Sequence, residues 1–173
     1  MAAQSAISNP KSEPGKATNV LICGIGGQGI LKASEVLGVA AMKAGFHVKK
    51  AEVHGMAQRG GSVESHVRFG TRVESPLIEP GTADHLLCFD ADEGERMKFY
   101  LKPGGVDFRP YLAAAAKDLP DPRFLNTYLT AVLSLYLPIE ERVWLEALRE
   151  VITKKVDENE QVFRNARTKG KAV

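Results

Sequence analysis

Residues 18 to 23, TNVLIC, form a short apolar run that enters a glycine-rich turn, GIGGQG, at 24 to 29. An amphipathic pattern follows at once. In ILKASEVLGVAAMKA, residues 30 to 44, apolar side chains recur at three and four, the spacing of a helix that buries one face. A continuous apolar run before glycines suits a central parallel strand, covered on both sides. Gly45 marks the helix stop. Lys32, Ser34 and Glu35 are expected toward solvent. FHVKKAEV, 46 to 53, reads as the next strand. Residues 18 to 53 therefore predict strand, glycine turn, helix, strand: a right-handed βαβ unit. That unit commits the chain to the α/β class.

The remaining segments extend this frame. HGMAQRGG, 54 to 61, is a polar loop. In SVESHVRFG, 62 to 70, Val63, Ser65, Val67 and Phe69 alternate with Glu64, His66 and Arg68. That is a strand with one apolar face and one wet or interfacial face. TRVESPLIEPGTAD is a bent connection and HLLCF, 85 to 89, a buried strand. DADEGERMKFYL, 90 to 101, has the acidic start that suits a helix dipole. KPGG reads as a turn and VDF as a short last strand. YLAAAAKDLPDPR stays open between helix and turn, since four alanines favour helix and two prolines end it. NTYLTAVLSLYL, 126 to 137, is apolar nearly all round, so a helix there is buried on most sides. PIEERVWLEALREVI, 138 to 152, starts as helices do, with Pro138 and then acids. The final segment reads as a solvated helix and a basic tail.

Composition narrows the function classes. The chain has 173 residues, 44% hydrophobic and 25% charged, with a net charge of +2. Nucleic-acid binding would ask for a denser basic face. No apolar stretch reaches the roughly 18 residues of a membrane span. The start, MAAQSAISNPKSEPGKAT, lacks the apolar core of a signal peptide and reads as a disordered tail over 1 to 17, which points to the cytoplasm. The organisation expected is that tail, an α/β domain over 18 to 137, and C-terminal helices with a basic tail over 138 to 173. Cys23 and Cys88 are the two cysteines, each inside an apolar run. They read as buried thiols, and an iron–sulfur cluster needs about four.

Gly24, Gly26 and Gly29 match G-x-G-x-x-G, a dinucleotide signature when strand and helix flank it. Glu52 stands about twenty residues on, where an acid would hold a ribose hydroxyl. The competing reading is a tight strand-to-helix turn whose glycines allow close packing. Gly27 and Gln28 weigh toward the second, because the Gln28 amide projects where a pyrophosphate would lie. The 54–61 loop also follows a strand, so both loops should line one edge of the sheet, where open α/β sheets hold ligands.

Taken together, NVLICGIGGQGILKASEVLG, AEVHGMAQRGGSVESHVRFG, SPLIEPGTADHLLCFD and LKPGG resemble the gamma-type subunit of 2-oxoacid:ferredoxin oxidoreductases. The likeness is strongest to the small (beta) subunit of indolepyruvate ferredoxin oxidoreductase. It is dense over roughly 18 to 105 and looser through LNTYLTAVLSLYLPIEE. EVHGMAQRGGSV is far more specific than the glycine turn. The resemblance implies a Rossmann-related open sheet with flanking helices and a helical C-terminal segment. It implies a complex that decarboxylates a 2-oxoacid oxidatively to an acyl-CoA and passes electrons to ferredoxin. In such a complex thiamine diphosphate, magnesium and 4Fe-4S clusters lie in a large partner subunit, and this chain lines the coenzyme A side without a redox centre. The stretch from Val106 to Asn126 departs from the family pattern. It is short for the further strand and helix usual there, which bears on the far sheet edge and on whether the substrate is indolepyruvate or another aryl or aliphatic 2-oxoacid. The alternative is a free-standing NAD(P)- or FAD-binding oxidoreductase built on Gly24, Gly26, Gly29 and Glu52.

The candidate cleft residues are Gly24, Gly26, Gly27, Gln28, Gly29, His54, Gln58, Arg59, Gly60, Gly61 and Ser62. Arg59 could clamp a phosphate or carboxylate in two-pronged fashion, or form an interface ion pair. Gly60 and Gly61 permit close backbone approach or positive φ. His54 could shuttle a proton near a thiamine-bound intermediate, or simply bond a backbone carbonyl. Gln28 could donate to a ligand, or serve the fold alone. Ser62 is the best hydroxyl for an oxyanion contact, with no base set to make it a nucleophile. His66 and Arg68 are expected at an interface. Asp90, Asp92 and Glu93 could suggest a metal site but read better as a helix cap.

Overall fold

Backbone pairing places the glycine turn at the centre of a five-stranded sheet. The computed structural model describes residues 16–55 and 60–171, so most of the expected tail, together with Gln58 and Arg59, lies outside the described residues. β1 (Thr18–Ile25) is buried from Asn19 to Gly24, as its apolar run predicts. α1 (Ile30–Lys43), β2 (His47–His54), β3 (Ser62–Gly70), β4 (Ala83–Cys88) and β5 (Leu101–Asp107) follow. The sheet order is β2-β3-β1-β4-β5.

β1 is not flanked by parallel strands on both sides. β1 runs parallel to β4 but antiparallel to β3, and β3 is antiparallel to β2 as well. β1 and β2 are thus parallel to each other with β3 inserted between them, a split form of the expected βαβ unit. Burial explains the exchange. β2 carries Lys49, Lys50 and Glu52, all exposed, which suits a guarded sheet edge. β3 offers Val63, Val67 and Phe69, each at most 6% exposed, which suits the interior.

α1, α4 (Leu125–Ser134), α5 (Glu141–Val151) and α6 (Val156–Gly170) share one apolar core with Val20, Ile22, Phe69 and Leu87 on one sheet face. Thr127 to Ser134 of α4 are buried throughout, in keeping with its sequence. α6 is not merely solvated: Phe163 is fully buried, 6.3 Å from the Trp144 ring of α5. α5 begins after Glu140 rather than at Pro138, because Glu140 is still extended and Ile139 turns inward. In α1, Lys32 and Glu35 face solvent, but Ser34 is fully buried, its hydroxyl donating to the Leu31 carbonyl at 2.9 Å. That local bond satisfies the one polar atom burial would otherwise strand. Gly45, at φ 92, ends the helix as expected.

α2 (Ala91–Met97) and a 3-10 turn at Lys98–Tyr100 cover the opposite face over Leu21, Cys23, Leu86 and Cys88. KPGG is not a turn between elements but lies inside β5. Ala83 pairs with Leu101 while His85 pairs with Val106, so the strand bulges between them, and Lys102 crosses the bulge to Asp84. β5 is the far edge of the sheet. α3 (Tyr111–Asp118) resolves the alanine run as helix, ending before Pro120. Among the described residues no helix is long and apolar enough to cross a membrane.

Candidate functional site

The 24–29 turn is filled by its own chain. The Gln28 side chain folds back so that its Oε1 accepts from the Ile25 N–H at 2.8 Å, and its Nε2 donates to the Phe89 carbonyl at 3.3 Å. It thereby ties the end of β1 to the end of β4. Gly24 makes room for this: a Cβ there would lie 2.7 Å from Gln28 Oε1 and 2.8 Å from the Phe89 Cβ. Gly27 and Gly29 hold φ values of 98° and 91°, a region costly for other residues. Asn126 of α4 seats directly against Gly29, where a Cβ would come within 3.0 Å of the Asn126 Cβ. The sequence reading missed Asn126, since nothing local links it to the turn.

The second loop does reach the first. The Gly26 N–H donates to the Gly61 carbonyl at 2.9 Å, and the Gly55 N–H donates to the Ser62 carbonyl at 3.0 Å. Register places Ile25 opposite Ser62 and His54 opposite Val63, so both loops leave the same end of the sheet. Gly60 takes φ 74. The Ser62 hydroxyl donates to Glu93 Oε2 at 2.5 Å, while the other Glu93 oxygen accepts from Arg96 at 2.7 Å. Ser62 is therefore a tether from β3 to α2. In sequence Glu93 reads as part of a helix cap or a metal group, and nothing local links it to Ser62. Asp90 caps α2 by accepting from the Asp92 and Glu93 N–H groups, the cap reading over the metal reading. His54 ends β2 with its side chain 46% exposed and its Nε2 3.9 Å from Glu52.

Glu52 pairs with Ser65, and Ser65 pairs with Ile22, so a whole strand separates Glu52 from β1. At about 4.8 Å per strand, the acid stands about 10 Å from β1, one strand spacing farther out than the neighbouring-strand position a ribose-binding acid takes.

Two expected interface residues turn inward. His66 is 2% exposed. Its Nδ1 accepts from the Ile78 N–H at 3.1 Å and the Tyr100 ring meets it edge-on at 5.6 Å. Arg68 donates from Nε to Asn19 Oδ1 at 2.8 Å and from Nη1 to the Ser75 carbonyl at 2.7 Å. Both use their polarity to fasten the 71–82 connection across the sheet, which is why the polar face of β3 is not left open. Cys23 and Cys88 are register partners on β1 and β4, both fully buried. The neighbouring Cys23 thiol and burial push the Cys88 thiol far above its usual range, so it stays protonated. Among the described residues no group of three or more His, Cys, Asp or Glu side chains is placed to hold a metal ion. Among the described residues the arrangement is a glycine turn bonded to the flank of the second loop, and Ser62 is engaged with a carboxylate.

The family described as Pyruvate ferredoxin/flavodoxin oxidoreductase matches residues 19–108. The chain is similar to indolepyruvate oxidoreductase subunit IorB of Pyrococcus horikoshii, 50% identical over 93 residues, which is 54% of this chain and 46% of that protein. The match thus spans about half the length of that curated relative. Among solved structures, a keto/oxoacid ferredoxin oxidoreductase gamma subunit from Geobacter sulfurreducens aligns with a TM-score of 0.74 at 19% identity, covering 90% of this chain and 99% of that one. A 2-oxoglutarate:ferredoxin oxidoreductase from Magnetococcus marinus, solved with 2-oxoglutarate, coenzyme A and succinyl-CoA bound, aligns with a TM-score of 0.72 at 24% identity. It covers 91% of this chain and 31% of that one. At these identities both structures speak for the fold alone: an open sheet with flanking helices.

Proposed function

Because the chain belongs to the pyruvate ferredoxin/flavodoxin oxidoreductase family, we propose that it is the small, gamma-type subunit of a thiamine diphosphate-dependent 2-oxoacid:ferredoxin oxidoreductase. The complex would act in the cytoplasm on indolepyruvate or a related aryl 2-oxoacid, decarboxylating it oxidatively to the acyl-CoA. Half-identity to an indolepyruvate oxidoreductase subunit supports that substrate class. The chain itself supplies a scaffold. Its bridged 24–29 and 54–62 loops, Gln58 and Arg59 included, line the coenzyme A side of a cleft completed by a large partner subunit. With two cysteines in the whole sequence, it lacks the roughly four thiolates of a cluster. Thiamine diphosphate, magnesium and the 4Fe-4S clusters then belong to the partner, and ferredoxin takes electrons from the assembled complex.

The observation that carries this reading over a free-standing NAD(P)- or FAD-binding enzyme is the Gln28 side chain, bonded at both ends inside the turn a pyrophosphate would need. The test is affinity purification of the tagged chain from its native cells. The expected eluate holds a large thiamine-binding chain and has broad visible absorbance from iron–sulfur clusters. A colourless lone chain that binds NAD, NADP or FAD in calorimetry, and loses that binding in Glu52→Ala, would reverse the assignment.

A further inference from the structure

On the α4 side of the glycine turn, a cavity of about 530 Å3 opens between the first turn of α1, the start of α4 and the turn joining α5 to α6. Four of its lining side chains are cations, Lys32, Arg123, Lys154 and Lys155, and none is a carboxylate. Two of the cations are already engaged: Arg123 with Asp121 at 2.6 Å and Lys32 with Glu35 at 3.5 Å. Lys154 and Lys155 have no carboxylate within 4.0 Å among the described residues. Lys155 precedes α6 and Gly29 precedes α1, and neither helix has a side chain accepting from its free N–H groups at that end, where Asp, Ser or Asn is usual; Asp157 and Glu158 stand in the first turn of α6. The positive end of the α6 dipole, offset in part by Asp157 and Glu158, therefore borders a pocket in which Lys154 and Lys155 form no close ion pair among the described residues.

The backbone is shaped for this placement. Lys155 is the one non-glycine residue with positive φ among the described residues, at φ 51. Such a conformation costs about 1–2 kcal/mol in an ordinary residue and needs support. Asn159 provides it, donating from Nδ2 to the Lys155 carbonyl at 2.9 Å, while its Oδ1 accepts from the buried Thr127 hydroxyl at 2.5 Å. The result sets the Lys155 ammonium 5.8 Å over the Phe124 ring at the cavity wall.

We propose that this cavity binds a small multivalent phosphate group, a diphosphate or a phosphomonoester, with Lys154 and Lys155 as its principal charge partners. A cavity of this size accommodates a nucleotide-sized ligand. Paired cations beside helix N-termini are the usual chemistry of phosphate capture. The site does not rest on the oxidoreductase reading: of its lining residues, only Lys32 lies within the 19–108 stretch that matches the family.

The experiment is calorimetric titration of the full-length chain with inorganic pyrophosphate at low ionic strength. Binding with Kd below ~1 mM is expected, weakened about tenfold or more in K154Q/K155Q. K154R/K155R should keep it, and Arg142→Gln, on α5 and paired with Glu146 outside the cavity, should leave it unchanged. Amide shifts in heteronuclear NMR provide a second reading if the double variant fails to fold; they should centre on residues 153 to 159. ADP titrated next separates the sources. Tighter binding than pyrophosphate assigns a nucleotide, and equal binding assigns a free diphosphate. Absence of heat at ~10 mM pyrophosphate, equal affinity in K154Q/K155Q, sulfate binding as tightly as pyrophosphate, or shifts confined elsewhere would each overturn the proposal.

Discussion

On one face of the sheet α1, α4, α5 and α6 lay down a continuous apolar layer that includes Leu37, Leu129, Trp144 and Phe163. On the other, α2, a short 3-10 turn and the 71–82 connection cover a smaller cluster around Leu21, Cys23 and Leu86, bonding to His66 and Arg68 of β3 and bringing Glu93 to Ser62. The first face is held by volume. The second is held by named hydrogen bonds, each of which replaces water lost on burial. The paired loops lie at the end of the sheet, and Ser62 is tethered to the thin side through Glu93. The site therefore depends on bond geometry more than on packing.

The largest test lies in the thick layer. Phe163→Ala is expected to lose about 3–5 kcal/mol in denaturant unfolding, the cost of a large core deletion. A loss near zero would return α6 to the solvated helix its sequence suggests. The same layer holds His85, which burial pushes down to about 4 from 6.5, between the rings of Phe108 and Tyr136. Its folded value is the lower one, so protonation favours the unfolded chain. Stability should be intact above pH 6.5, decline as pH falls toward 4, and level off below. The decline is on the order of 2–3 kcal/mol, and H85F should remove it from the difference between pH 7 and pH 4 melts.

Smaller effects belong to the turn and the thin face. Gly24→Ala should cost about 1–3 kcal/mol, because the added methyl meets Gln28 and Phe89 in a filled turn. Adding Gln28→Ala to it should recover part of the loss. His66→Ala leaves the Ile78 N–H unmatched and should cost about 1–3 kcal/mol. If it matches Phe163→Ala, the distinction between the two faces collapses. Asp90→Ala, which removes one helix cap, should cost about 1 kcal/mol, read from a thermal melt.

Much of the thick face was legible beforehand, because helical periodicity and apolar runs directly encode burial. β1, the glycine turn, α1 and the buried α4 all follow from their own residues. Strand direction did not follow, since period-two alternation is the same in parallel and antiparallel ladders; only the charge on β2 hinted that it is an edge. The covered polar face of β3 was unreadable for a related reason. His66 and Arg68 look like solvent or interface residues until Ile78 and Ser75, carried by a separate connection, reach them. At the site, the meeting of two loops was legible from their place after strands, but the Gly26–Gly61 bridge and the Ser62–Glu93 tether were not. The basic cavity draws on Lys32, Arg123 and Lys154, too far apart in sequence to form a motif.

The central position of β1 has a consequence for synthesis. β1 leaves the ribosome before its sheet neighbours and needs partners from both sides, and its parallel one, β4, begins 65 residues later, the separation of the Asn19–Asp84 contact. At about 5–20 residues per second, an eight-residue apolar segment waits several seconds for its second edge. β3 arrives sooner and covers the first edge by simple antiparallel pairing. The inserted strand thus also acts in time, covering one edge of the apolar β1 segment until the rest of the sheet exists.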